Sequence, residues 1–154
     1  MVTAREIADR LGLEPLPDEG GLFRRMYADA HSSAIYYLLA DADFSALHVL
    51  TAAETYHHYA GAPLQMLLLH ADGTVERPVL GSDLAAGQRP QLVVPAGTWQ
   101  GSRSAGEWTL VGTTTAPPFE WEMFTLGQRA ELQARYPMAA GEIAALTRTR
   151  SAGF

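Results

Sequence analysis

Between residues 22 and 115 the chain is cut into short apolar or alternating runs, and turn-forming residues close nearly every one. Residues 22–27, 33–39, 44–50, 54–60, 64–70, 74–80, 91–94, 100–104 and 107–115 each have strand length and strand character. Ala71-Asp72-Gly73 separates two of them, with the Asp-Gly preference for the positive φ of a tight hairpin. Many short strands spaced by turns predict a closed antiparallel sandwich or barrel. They argue against a parallel sheet, whose crossovers need helices between the strands.

Helices are expected only at the two ends. Thr3 and Glu6 have capping-box spacing, and Ile7 and Leu11 follow at i, i+4. Pro15, Pro17 and Gly20-Gly21 then break the chain. Residues 126–136 and 140–147 read as helices separated by Pro137, and residues 148–154 as a frayed tail. The expectation is one all-β domain over 1–154, with its barrel at about 20–125 and its C-terminal helices at 126–147. At 154 residues and 47% hydrophobic, the chain can bury a sizeable core. A net charge of −6 disfavours a nucleic-acid groove. The chain has no cysteine, hence no disulfide and no thiolate metal site. Charged residues occupy the first ten positions, where a signal peptide needs an apolar run, and no run is long enough for a membrane helix. A cytoplasmic protein without membrane contact is expected.

Polar chemistry concentrates in one stretch, from His48 to Gly61. It reads as two strands joined by a tight turn. Residues of one parity share a strand face, so His48 and Leu50 share one face, and Glu54, Tyr56 and His58 share another. A hairpin in simple register would bring these faces together. A carboxylate beside an imidazole suits general acid/base work, and the same pair supplies two ligands to a divalent metal. His57 and His58 point to opposite faces of a regular strand. Parity selects His58 for the interior, and a bulge would reverse that. Arg24 and Arg25 are adjacent on the first strand. One of them, with Arg24 as the candidate, can grip a carboxylate or phosphate.

The stretch His48-Val-Leu50-Thr-Ala-Ala-Glu54-Thr-Tyr-His57-His58-Tyr-Ala-Gly61 resembles the first motif of the cupin superfamily. There a histidine is followed by a second histidine, a glutamate and a glycine at the places of Leu50, Glu54 and Gly61. Val94-Pro95-Ala96-Gly97-Thr98-Trp99-Gln100 resembles the second motif, with Gln100 at its histidine place. A closer resemblance is to the cupin-5 family, also called domain of unknown function 985. It covers most of the chain, through Gly20-Gly21-Leu22-Phe23-Arg24, Ser33-Ala34-Ile35-Tyr36-Tyr37, Glu54 to Leu64, Leu80-Gly81-Ser82-Asp83, Gln91 to Trp99 and Thr113 to Phe119. Family members often carry an aromatic at the place of His58 and a glutamate at that of Arg25. They often have Pro-Gly-Phe at Pro117-Pro118-Phe119. The family recurrently has a histidine at the place of His57.

The resemblance implies a double-stranded β-helix, a jelly-roll-like barrel with a small-molecule pocket and a homodimeric assembly. His48, Glu54, Tyr56 and His58 are the expected catalytic set. Gln91, Gln100, Trp99, Arg24 and His57 are the expected substrate contacts. Leu50 and Gln100 replace two of the four ligands of a metal-binding cupin. The expectation is therefore no required cofactor, or a weakly bound divalent metal on His48, Glu54 and His58. Three functions are compatible: an isomerase, epimerase, cyclase or lyase using acid–base chemistry; a metal-dependent, oxygenase-type cupin; and a non-catalytic small-molecule binder.

Overall fold

The computed structural model describes residues 2–149. A short helix α1 (Ala4–Leu11) opens the chain. Its capping box forms as expected, with Thr3 Oγ1 accepting from the Glu6 amide at 3.2 Å. The strands follow as β1 (Glu14–Pro15), β2 (Leu22–Ala28), β3 (Ser33–Ala40), β4 (Phe44–Leu50), β5 (Glu54–Gly61) and β6 (Leu64–Leu69). Next come β7 (Val75–Glu76), β8 (Val79–Leu80), β9 (Gln91–Val94), β10 (Trp99–Ser104), β11 (Trp108–Thr115) and β12 (Phe124–Leu126). Helices α2 (Arg129–Arg135) and α3 (Ala140–Ala145) end the described chain.

Two antiparallel sheets face each other. The first has the order β1-β2-β3-β11-β5-β9, and the second β12-β4-β10-β6-β7, with β8 also on β6. The expected all-β barrel with terminal helices is what forms. Between the sheets lie Tyr37, Leu39, Tyr56, Leu64, Met66, Leu68, Val94 and Val111, all buried. A second core forms on the outer face of the second sheet. There Leu47, Leu67 and Leu69 pack under Leu132, Tyr136 and Ile143 of the C-terminal segment. Helix α1 lays Ile7 on Leu38 and Leu110 of the first sheet. This explains the near-continuous apolar run of β6, since a strand covered on both faces has no reason to alternate. Among the described residues, no helix is long and apolar enough to cross a membrane.

Three expectations need correction. The expected strand 74–80 is two short pieces, because Arg77-Pro78 interrupts it and Pro78 has no amide hydrogen for the ladder. The helix expected over 126–136 begins at Arg129, because Leu126 pairs with His48 in a strand. Of the tail expected to fray, 150–154 lie outside the described residues. Arg148, however, donates to Glu19 O at 2.7 Å and to Asp43 Oδ1 at 2.7 Å, and covers the Phe44 ring at 4.0 Å.

Candidate functional site

His48 and Glu54 do not sit on a hairpin. β4 belongs to the second sheet and β5 to the first, so residues 51–53 carry the chain from one sheet to the other. The two side chains converge across the sandwich interior. Parity within each strand was the right guide, but the pairing partner was not.

A bulge in β4 prepares His48. Gln100 opposes His48 and Ser102 opposes Ser45, so β4 carries one extra residue in that interval. The amides freed by the bulge go outside the ladder: Ala46 donates to Glu19 O at 2.8 Å and Leu47 to Leu146 O at 2.8 Å. The carbonyl of Ala46 faces the His48 ring, whose Nδ1 donates to it at 2.7 Å. That bond requires a proton on Nδ1 and leaves Nε2 turned toward Glu19. Phe124 stacks on the ring, with centroids 5.0 Å apart and planes 19° apart. His48 is 2% exposed.

Nε2 lies 3.7 Å from Oε1 of Glu19, a residue not anticipated as functional. Glu19 comes from the loop before β2, which the sequence marked only as a break. The backbone there takes positive φ at Asp18, Gly20 and Gly21. Close packing holds the loop. Tyr37 Oη donates to Gly20 O at 2.6 Å, and the Gly21 amide to Asp43 Oδ2 at 2.8 Å. Because the bulge shifts the register, Ser45 also turns inward, and its hydroxyl donates to Glu19 Oε2 at 2.7 Å. Glu19 therefore holds one oxygen on Ser45 and presents the other to His48.

Glu54 heads a separate chain of bonds. Gln100 Nε2 donates to Glu54 Oε1 at 3.0 Å, and the Tyr56 hydroxyl donates to Gln100 Oε1. Burial raises the Glu54 carboxyl above its ordinary 4.5, and the nearby charge of Glu19 adds to the rise; His48 opposes it. Burial, then the charge of Glu54, pushes the Tyr56 phenol well above 10.0, so Tyr56 acts as a donor and not a base. Gln100 has both ends of its amide committed inside this network. It steadies Glu54 and is not in the cavity lining.

His48, Glu54 and Tyr56 line a cavity of about 490 Å³, within the usual range of about 300–1,000 Å³ for small-molecule sites. Leu16, Phe23, Ile35, Leu50, Phe119 and Trp121 give it apolar walls. The remaining expected residues are placed otherwise. His58 keeps the interior parity, yet its Nε2 lies 3.1 Å from Ala62 O and the ring is not in the cavity lining. His57 faces outward opposite Gln91 and stacks on Tyr59, 6.4 Å between centroids. Gln91 is exposed on that same outer face. Trp99 alternates with Gln100 and so packs under the C-terminal helices, away from the pocket. Arg24 faces outward opposite Tyr36 and donates to Leu11 O at 3.1 Å, reaching only the cavity's edge. Arg25, opposite Ile35, has the interior parity. Among the described residues, no group of three His, Asp or Glu side chains is arranged to hold a metal ion. His58 is turned away from the cavity, and Leu50 stands at a ligand position of the cupin motif.

Two facing antiparallel sheets, with a histidine and a glutamate converging on an apolar cavity, define a cupin-type barrel. Residues 5–127 match the Cupin_5 family of the cupin superfamily (DUF985), and the chain belongs to that family. A solved structure from Shewanella oneidensis superposes with a TM-score of 0.91 at 33% identity, covering 97% of this chain and 100% of that one. A hypothetical protein from Leishmania major gives 0.89 at 26% identity, covering 96% and 100%. A cupin 2 conserved barrel domain protein from Rhodopseudomonas palustris shares the fold, at a TM-score of 0.59 and 17% identity over 87% of this chain and 83% of that one. No curated protein matches the chain.

Proposed function

We propose that this protein is an enzyme moving protons on a small organic metabolite held in the barrel cavity, as an isomerase, epimerase, cyclase or lyase. One observation carries the reading. An imidazole with a free Nε2 and a carboxyl of raised affinity for protons face one apolar cavity from opposite sheets. In this reading His48 is the base, with Glu19 stabilising the imidazolium that forms. Glu54, kept more readily protonated by burial, returns or delivers a proton from the other side. The reaction belongs to a soluble cytoplasmic enzyme that needs no tightly bound metal.

Carboxyl-carbon NMR of Glu54 tests the arrangement without a substrate. The titration midpoint is expected above 4.5. It should rise further in His48→Ala, which removes an opposing positive charge, and fall in Glu19→Gln, which removes a negative one. A midpoint at the ordinary value, indifferent to both changes, would sink the reading. With an assay in hand, His48→Ala should lower turnover by about a hundred- to ten-thousand-fold while the fold persists. Elemental analysis of untagged protein addresses the metal-dependent alternative. One firmly held transition metal per chain would put that alternative first.

A further inference from the structure

The cavity has a buried base and an open mouth. His48 at the base is 2% exposed, whereas Trp121 is 48% exposed. Phe119 meets Trp121 edge to face at 5.2 Å, and Phe23 lines the same cavity from β2. These rings form an apolar collar. Next to it stands Arg25, exposed but on the interior face of β2. Its Nη2 donates to Phe119 O at 3.0 Å, which anchors the guanidinium at the collar. Among the described residues Arg25 makes no ion pair and has no second acceptor. A guanidinium carries five N–H donors, so most of its donors remain unspent. Arg25 shares the cavity with Arg24 at its edge and with the carboxyl side chains of Glu14, Glu19 and Glu54.

We propose that Arg25 sets the substrate class: a small organic monocarboxylate with an apolar or ring body. The carboxylate pairs with Arg25 at the mouth, and the body lies along Phe23, Phe119 and Trp121. The far end of the molecule then reaches His48 and Glu54. This assignment rests on the reading of the cavity as a substrate site. A guanidinium pairs well with either a carboxylate or a phosphate. One guanidinium neutralises a monocarboxylate, whereas a phosphate dianion keeps one uncompensated charge beside Glu14 and Glu19.

The test uses the intact protein and three probes of one shape: phenylacetate, phenylacetamide and phenyl phosphate. Binding is read by calorimetry and by the change in tryptophan emission. Phenylacetate should bind about tenfold tighter than its neutral amide, the difference one charge-assisted hydrogen-bonded contact supplies. Phenyl phosphate should bind more weakly than phenylacetate. Arg25→Gln should erase the preference for the acid over the amide, and Arg25→Lys should retain part of it. Arg25 is exposed, so both variants should melt close to the parent, and a thermal scan checks this. Equal binding of acid and amide, no binding of phenylacetate, tighter binding of the phosphate, or a preference that survives Arg25→Gln would each overturn the proposal. His48→Ala should keep the carboxylate preference. Failure of the proton-transfer reading would therefore show in the Glu54 titration, and failure of this one in the probe series.

Discussion

Glu19 and Glu54 both face the His48 cavity, and their surroundings make them unequal. Glu19 is held by a hydroxyl at a half-open loop, whereas Glu54 is buried with an amide on one oxygen. The raised proton affinity of Glu54 has a definite sign in stability. Above 4.5 the folded state binds this proton more readily than the unfolded chain, so lowering the pH toward 4.5 stabilises the fold through this group, and raising it imposes the cost of a buried charge. Glu54→Gln removes the titration. The variant should be more stable than the parent at neutral and mildly alkaline pH, and its advantage should shrink as the pH approaches 4.5. Urea unfolding across that range checks this, and an advantage that grows on acidification would contradict it. The motif histidine and glutamate were legible because their residue types and offsets are unusual on otherwise apolar strands. Glu19 was not, because only the turn at Asp18-Glu19-Gly20-Gly21 was visible and nothing local says what the turn aims at. Trp99 was misplaced for an avoidable reason: neighbours on a strand face opposite ways, so Trp99 and Gln100 cannot both look inward.

At the scale of elements, alternation and turn residues located nearly every strand, while pairing stayed hidden. The step from His48 to Glu54 is short enough for a hairpin, and local sequence does not distinguish a hairpin from a crossing between sheets. The crossing is decided by distant partners, Gln100 for His48 and Thr115 for Glu54. The C-terminal end shows the same dependence. Arg148 read as tail, yet it bonds to the backbone of Glu19 and Phe44 and to Asp43. Gly20 leaves it room, since a Cβ there would come within 2.3 Å of Arg148 Nη2 and 2.4 Å of Phe44 O. Arg148→Ala should cost about 1 kcal/mol, discounted for partial exposure, and loosen the Glu19 loop selectively. Hydrogen exchange should accelerate at the Ala46 amide, which bonds Glu19 O, and stay unchanged at Leu68 in the middle of β6. Uniform acceleration would point instead to a global loss of stability.

One outer face of the molecule is well covered and the other only in part. Helices α2 and α3 shield the second sheet, and α1 shields one part of the first. The rest of the first sheet's outer face presents Tyr36, His57, Tyr59 and Val93, with Tyr59 54% and Val93 53% exposed. Tyr59 lies flat enough over Gly112 that a Cβ there would meet its hydroxyl at 2.3 Å. We propose that a second copy of the chain covers this region, giving a homodimer. Light scattering at micromolar concentration should return twice the chain mass, and Tyr59→Lys with Val93→Lys should return the single mass. A monomeric parent would refute the assignment.

The passage of residues 51–53 between the sheets makes the spacing of His48 and Glu54 a matter of thickness. In the proposed reaction the base, His48, hangs from one layer and the acid, Glu54, from the other, so the gap between them is the gap between the layers, filled by Tyr37, Met66 and Leu68. Widening or thinning that filling should tune the reaction as a spacer tunes a capacitor, with every reacting residue left in place.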